Sequence, residues 1–296
     1  MMDWWFLAEL TVNGALTGLL YSLFAIGLVL VYKSSSVPNL AQGALTMVGA
    51  YVVVETARLA GLPLWVAIPL SMVLMFALGL GIERVALRPL AGRPIIMILM
   101  MTLGIDIFLR STTMAIFGGT SRPLGLNVSY DPLFVGPMLI SRIHLVGAAV
   151  TLLLFALCVF FFRTRMGVRL RAISDDYMAS WSVGIAVERG VGLSWGLAAI
   201  SSTAAAVIWG EIQGVNAGLA LLLLKGLTVA VLGGLDSLLG AIVAGIILGV
   251  LESVGSNFLD PLVGGGSRDL IVAAVLVLTV LLRPHGLFGR HDIERI

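Results

Sequence analysis

His144-Leu-Val-Gly-Ala-Ala-Val-Thr-Leu-Leu-Leu-Phe-Ala-Leu-Cys-Val-Phe-Phe-Phe162 runs for 19 residues without a formal charge, and Arg163, Arg165, Arg169 and Arg171 follow it within nine positions. About 20 apolar residues let a helix cross the hydrocarbon core of a bilayer. Arginine gathers at the cytoplasmic ends of such helices. This stretch therefore reads as a membrane span with its exit on the cytoplasmic side.

Working outward, the same pattern recurs. Residues 64–87 are followed by Arg88 and Arg93 and contain Arg84 near their end; residues 269–282 are followed by Arg283, Arg290 and Arg295. The remaining apolar runs are 10–31, 38–57, 94–117, 191–209, 218–234 and 237–254. The expectation is an all-α, polytopic membrane protein with eight to nine transmembrane helices, one segment near Pro38 or Gly234 being able to dip in and return. Nine spans put all three arginine clusters on one face. The N-terminus is then outside and the C-terminus cytoplasmic. The opposite face holds Arg58, Arg122, Arg142 and Arg268. The whole chain, 1–296, reads as one membrane domain, with a cytoplasmic loop at 163–190 and an external loop at 118–143 within it.

Composition agrees. Mean hydropathy is +1.07. Hydrophobic residues make up 59% and charged residues 11%, against about half and about a quarter in soluble domains. The net charge of +2 says nothing about partners, and the arginines follow topology rather than a nucleic-acid footprint. Cys158 is the one cysteine, so no internal disulfide is possible. Residues 1–10 carry Asp3 and Glu9 and no basic residue, which argues against a cleaved signal peptide. Lys33 and Lys225 are the two lysines of the chain. Neither follows a glycine in a Gly-Lys-Ser/Thr phosphate loop, so a transport cycle that consumes ATP needs another chain to bind the nucleotide.

Charges inside the spans are costly and draw attention. Asp106 and Arg110 stand four apart, on one face of a helix, where they can pair; alternatively Arg110 snorkels to the outer interface with Asp106 beside it. Lys225 follows four leucines. It either lines a polar path or pairs with a carboxylate on a neighbouring helix. Glu55, Glu211 and Glu252 fall near the outer ends of spans. Gly14/Gly18 and Gly245/Gly249 have the spacing that lets helices approach closely. The external loop is long enough to fold onto an outside partner or to serve as a solvated connector.

In the cytoplasmic loop, Ser174 is a suitable N-cap. Asp175 and Asp176 suit the positive end of a helix dipole, and Gly184 suits its termination. Tyr177, Met178 and Trp181 then share a face. Such a helix either docks into a groove of a partner or lies on lipid with Trp181 as anchor.

Four stretches together carry a resemblance: Thr164-Arg-Met-Gly-Val-Arg-Leu-Arg-Ala-Ile-Ser-Asp-Asp-Tyr-Met-Ala; Gly18-Leu-Leu-Tyr-Ser-Leu-Phe-Ala-Ile-Gly leading to Asn39-Leu-Ala-Gln-Gly-Ala-Leu-Thr-Met-Val-Gly-Ala-Tyr; Glu83-Arg-Val-Ala-Leu-Arg-Pro-Leu; and Thr228-Val-Ala-Val-Leu-Gly-Gly-Leu-Asp-Ser-Leu-Leu-Gly-Ala. In order and over nearly the whole chain, they resemble the permease subunits of branched-chain amino acid ABC transporters, of the high-affinity leucine/isoleucine/valine kind. The resemblance implies a type II-like importer permease. Its partners would be a second permease, two ATP-binding subunits that hold ATP and Mg, and an external substrate-binding protein. This chain would carry no cofactor or metal and perform no catalysis. Arg171, Ala172, Ile173, Ser174, Asp175, Asp176, Tyr177, Met178 and Ala179 would couple to an ATPase. The Asn39 motif and the Gly233–Gly240 turn would border the path or a subunit contact, with Ser22, Asn39, Gln42 and Thr46 as path candidates by position and type. Where many relatives read Asn-Phe-Ala-His-Gly, this chain has Gln42, which hydrogen-bonds but does not titrate. Leu235 and Asp236 stiffen a turn that is richer in glycine elsewhere. The cargo could equally be urea or a short amide. A stand-alone secondary transporter of a small organic solute is the other transport reading, with Asp106 as its mid-span carboxylate. An embedded enzyme is disfavoured because His144, His285 and His291 lie at helix ends or in the tail.

Overall fold

The computed structural model describes residues 4–126, 131–175, 177–182 and 187–289, with the side chains at 174, 175, 177, 178 and 181 outside that description. Helices account for nearly all of it: α1 (Trp4–Ser35), α2 (Gln42–Ala60), α3 (Leu64–Ile82), α4 (Ile95–Phe117), α5 (Arg142–Arg163), α6 (Arg165–Asp175), α7 (Tyr177–Ser182), α8 (Val187–Gln213), α9 (Leu222–Gly233), α10 (Leu238–Val263) and α11 (Ser267–Leu282). Among the described residues, seven helical segments are long and apolar enough to cross a membrane: α1, α2, α3 with its extension to Leu90, α4, α5, α8 and α10. The segment Ala217–Gly233 is shorter, and α11 has 16 residues. These two are what separates seven from the expected eight to nine. A small departure from all-α is a hairpin of β1 (Leu133–Val135) and β2 (Met138–Ile140), with Val135 opposite Met138. Gly136, at φ +61°, supplies the left-handed turn position it needs.

The contacts divide into two units. The first comprises residues 1–25, 127–153 and 224–296. Lipid offers no hydrophobic drive to press helices together, so close contact depends on small residues. Here α1 and α10 cross on them. A Cβ on Gly18 would fall inside the Gly245 carbonyl, and one on Gly14 would lie 2.8 Å from the Gly249 carbonyl oxygen. Two hydroxyls extend the seam at either end. Ser22 donates to the Ala241 carbonyl at 2.9 Å and Ser253 to the Leu10 carbonyl at 2.9 Å. The hairpin is fastened to the start of α1, where Asn13 Nδ2 donates to the Leu139 carbonyl at 2.8 Å and Glu9 accepts from the Leu139 amide at 3.2 Å. The Gly233–Gly240 turn is packed from outside by the tail, whose Leu287 and Phe288 amides donate to the Leu232 and Gly233 carbonyls.

The second unit comprises residues 26–126 and 154–223. Its centre is α8, a run of Ala, Gly and Ser. Gly79 of α3 would place a Cβ 2.6 Å from the Trp195 carbonyl oxygen, and Gly49 of α2 would place one 3.2 Å from Thr203 Cα. Trp195, Ala198 and Ala199 share a core with Val31, Leu45, Met75 and Ile105. The most apolar stretch of α8 is 78% buried and that of α4 is 17%. The outward apolar side chains of α4, among them Ile96, Met100, Ile107 and Phe108, suit lipid.

Gly245→Ala tests the seam. Its Cβ would collide with Ser22 Oγ and the Gly18 carbonyl. Overpacking a close contact costs about 1–3 kcal/mol. The expected outcome is a lower thermal unfolding temperature of the detergent-solubilised protein, followed by size-exclusion chromatography. An exposed control, Gly104→Ala, meets nothing within 4 Å and should leave it unchanged.

Candidate functional site

The connection from α5 to α8 holds one polar motif, in its described residues. Thr164 Oγ1 donates to the Phe161 carbonyl at 2.6 Å and accepts weakly from the Gly167 amide at 3.4 Å, which starts α6. Gly167 faces the end of α5 so closely that a Cβ would overlap Phe162. Arg171 closes the corner by donating to the Phe162 carbonyl at 3.1 Å. Leu170 and Ile173 are buried. They lie over Gly190 at the start of α8, where a Cβ would come within 2.7 Å of Ile173 Cδ1 and 2.9 Å of Leu170 Cδ2. Arg163, Arg165, Val168 and Arg169 face outward. The expected short helix is α7, and a helix that the sequence does not anticipate, α6, runs before it from Arg165 to Asp175. The buried spacing of Gly167, Leu170 and Ile173 explains it, because three-residue steps give α6 its packing face. Ser174 consequently sits in the last turn of α6 instead of capping a new helix, and α7 begins at Tyr177. Asp176 and Gly184 lie outside the described residues. In α7, Ser180 is buried and Ala179 is exposed.

The connection from α1 to α2 holds the other polar motif. Ser34 and Ser35 turn their hydroxyls back to the Val31 carbonyl, each at 2.9 Å, and Ser36 adopts φ +54°, which ends the helix. Asn39 Oδ1 then accepts from the Ala41 amide at 2.9 Å, while its Nδ2 donates to Gln42 Oε1 at 3.1 Å. Gln42 Nε2 donates to the Ala198 carbonyl of α8 at 3.3 Å, and Thr46 to the Gln42 carbonyl at 3.0 Å. Gly27 leaves the notch in which the Gln42 amide lies. Asn39, Gln42 and Thr46 are brought together and are fully buried, joining α1, α2 and α8. Ser22 is elsewhere, on the α1–α10 seam.

The intramembrane charges are paired. Arg110 and Asp106 form an ion pair one helical turn apart. Asp106 is 2% exposed, and its Oδ1 has no hydrogen-bond partner. Lys225 Nζ donates to Glu252 Oε1 at 2.7 Å and to the Tyr21 hydroxyl at 3.2 Å. Tyr21 in turn donates to Glu252 Oε1 at 3.2 Å. Of the two readings open for Lys225, the structure takes the carboxylate pair. Glu252 as its partner was missed in sequence. A lysine in an apolar helix needs an acid, but the sequence offers Glu55, Asp106, Glu211 and Glu252 without choosing among them.

Residues 118–126, which follow α4, are also held in place. Arg122 pairs with Glu55, donates to the Phe117 carbonyl at 2.7 Å, and exchanges backbone hydrogen bonds with Val215 at 3.1 and 2.8 Å. Glu211 accepts from the Leu126 amide at 3.0 Å. The first part of the loop is thereby pinned to α2 and to the end of α8.

A profile of the family described as "Branched-chain amino acid transport system / permease component" matches residues 10–281. The high-affinity branched-chain amino acid transport system permease protein BraD of Pseudomonas aeruginosa is 31% identical over 300 residues, covering 96% of each chain. Its counterpart LivH of Escherichia coli is 29% identical over 305 residues, again covering 96% of each. Among solved structures, PsaBC from Streptococcus pneumoniae in complex with Fab aligns with a TM-score of 0.47 and 17% identity, covering 93% of this chain and 92% of that one. The chain belongs to the branched-chain amino acid transport permease family: it is a membrane permease component.

Two substitutions test the polar elements. Lys225→Met strands the Glu252 carboxylate, and breaking a buried pair from one side costs about 3–5 kcal/mol. The double variant Lys225→Met/Glu252→Leu should recover most of the loss in thermal unfolding. Asn39→Leu removes the acceptor for the Ala41 amide and the donor to Gln42, each in a buried site, at about 1–3 kcal/mol. A lowered unfolding temperature is expected. An unchanged one with diminished uptake would place Asn39 on the transport path instead.

Proposed function

We propose that the chain is the membrane-spanning permease subunit of an ATP-driven importer of branched-chain or related small amino acids, residing in the cell inner membrane. The α6–α7 connection carries this reading. One face of it is packed rigidly on α8 through Leu170, Ile173 and Gly190, and the other offers arginines to a partner. The names of BraD and LivH support the cargo class.

In this reading Arg171–Ala179 seats in a cleft of an ATP-binding subunit. Two such subunits hold ATP and Mg, a second permease completes the membrane portion, and an external substrate-binding protein delivers cargo. The three arginine clusters support an outside N-terminus and a cytoplasmic C-terminus. When ATP draws its binding subunits together, α6 moves with them. Because the Leu170 and Ile173 side chains of α6 press directly on the Gly190 backbone of α8, displacement of α6 passes into the central helix of the unit. This chain's part is mechanical; bond cleavage belongs to the ATPases.

The test uses the assembled complex in proteoliposomes, with leucine uptake measured against ATP supply. Tyr177→Ala and Asp176→Arg should abolish uptake while the chain still co-purifies with the second permease. Uptake retained in both variants would remove the segment from coupling. Uptake by the purified chain alone, driven by an imposed ion gradient without ATP, would replace this reading with secondary transport.

A further inference from the structure

Glu83 begins a wide, five-residue π-turn, Glu83–Leu87, that continues α3. Such turns are rare and concentrate at functional sites. The Glu83 carboxylate is buried, 6% exposed, yet among the described residues it forms no hydrogen bond or ion pair; the Arg88 and Arg84 guanidiniums are the cations it feels. Gly192 of α8 makes room for it, since a Cβ there would stand 3.0 Å from Glu83 Oε2.

The carboxylate borders a partly open cavity of about 220 Å³ lined by the end of α1, the α3–α4 connection, the first turns of α4 and the start of α8. Val31, Leu87, Ile98 and Val191 give it apolar walls, and Thr102 and Trp195 lie at its interior. Arg88 and Glu188 also border it and are paired with one another. That leaves one negative group inside, Glu83, and one positive group at the rim, Arg93, which forms no ion pair among the described residues. The volume falls below the roughly 300 Å³ at which pockets for drug-sized ligands begin. The space therefore suits a single small molecule with an aliphatic body, a cationic head for Glu83 and an anionic one for Arg93.

We propose that this cavity binds a neutral aliphatic α-amino acid as its zwitterion, the ammonium on Glu83, the carboxylate toward Arg93, and the side chain against Val31, Leu87, Ile98 and Val191. The ligand class rests on the permease reading; the site does not. A buried carboxylate with no direct partner is costly, and a ligand ammonium supplies the missing partner. A second cavity of about 300 Å³, reached by Met166 of α6, shares Glu83, Arg88 and Glu188 with the first. The paired Arg88 and Glu188 thus border both the proposed site and the cavity that Met166 of α6 lines.

The experiment measures equilibrium binding to the complex in lipid nanodiscs, without the external substrate-binding protein. The probes are leucine and 4-methylpentanoate, which lacks the ammonium. Loss of one charge-assisted contact is worth about tenfold or more in affinity. Wild type should bind leucine at least about tenfold tighter than 4-methylpentanoate, with a change in Trp195 emission that Trp195→Phe removes. Glu83→Gln should erase the preference while leaving 4-methylpentanoate binding intact, which a misfolded variant would not do. Equal binding of the two probes by wild type, or an unaltered preference in Glu83→Gln, would overturn the site. ATP-driven leucine uptake by the same wild-type complex separates the two ideas. Uptake without leucine binding in the nanodisc sinks the cavity and spares the permease. Binding with the expected preference but no uptake supports the cavity and sinks the cargo assignment.

Discussion

The absence of four β-carbons lets α1 lie against α10. At Gly14, Gly18, Gly245 and Gly249 the backbones meet, and a methyl group on any of them would overlap or crowd the facing chain. In water such a seam would be a minor part of a core held by apolar burial. In lipid the acyl chains solvate leucine as well as a neighbouring helix does, so dispersion at short range and carbonyl-directed hydroxyls do the joining. Ser22 and Ser253 occupy the same four-residue rhythm as the glycines. The other unit repeats the solution around α8, with Gly79, Gly49 and Gly196 admitting the backbone or aromatic groups of its neighbours.

Closely packed helices constrain what charge can be placed among them. Lys225 and Glu252 are held on helices of one unit together with Tyr21, so the low dielectric between them strengthens their attraction and the hydroxyl shares it. Glu55 and Arg122 form a corresponding pair at the connection that follows α4, with the Phe117 carbonyl taking a second guanidinium proton. Each pair joins segments distant in sequence. Such pairs contribute little net stability over apolar packing, but they penalise any other register of the helices, because a slip would strand a charge.

The helical class, the glycine seam and the Asp106–Arg110 pair were legible in the sequence, because each depends on short spacings or composition. Three things were not. The start of α6 was hidden because Ser174-Asp175-Asp176 has the chemistry of a helix start, and the competing signal, buried Gly167, Leu170 and Ile173, shows only once Gly190 supplies a surface. The Lys225–Glu252 pair was hidden because its members lie 27 residues apart. The partners of Gln42 outside its own turn were hidden because they come from other helices. Here Gly27 and the Ala198 carbonyl satisfy Gln42 from two other helices, which no local pattern reveals.

Rigidity at one point and emptiness at another give the second unit its mechanical character. Leu170 and Ile173 meet α8 at Gly190, and Glu188 lies two residues before that contact, paired with Arg88 across the boundary of two cavities. A helix end pressed through side chain onto backbone cannot shift without carrying its neighbours on the same turn. On the proposed coupling, displacement of α6 would meet the Arg88–Glu188 pair close to the Gly190 contact. The pair is half-exposed, and exposed ion pairs are worth about 0–1 kcal/mol, so it yields more readily than the packed core. The half-exposed Arg88–Glu188 pair thus lies beside both the α6–α8 contact and the buried, directly unpaired Glu83 carboxylate.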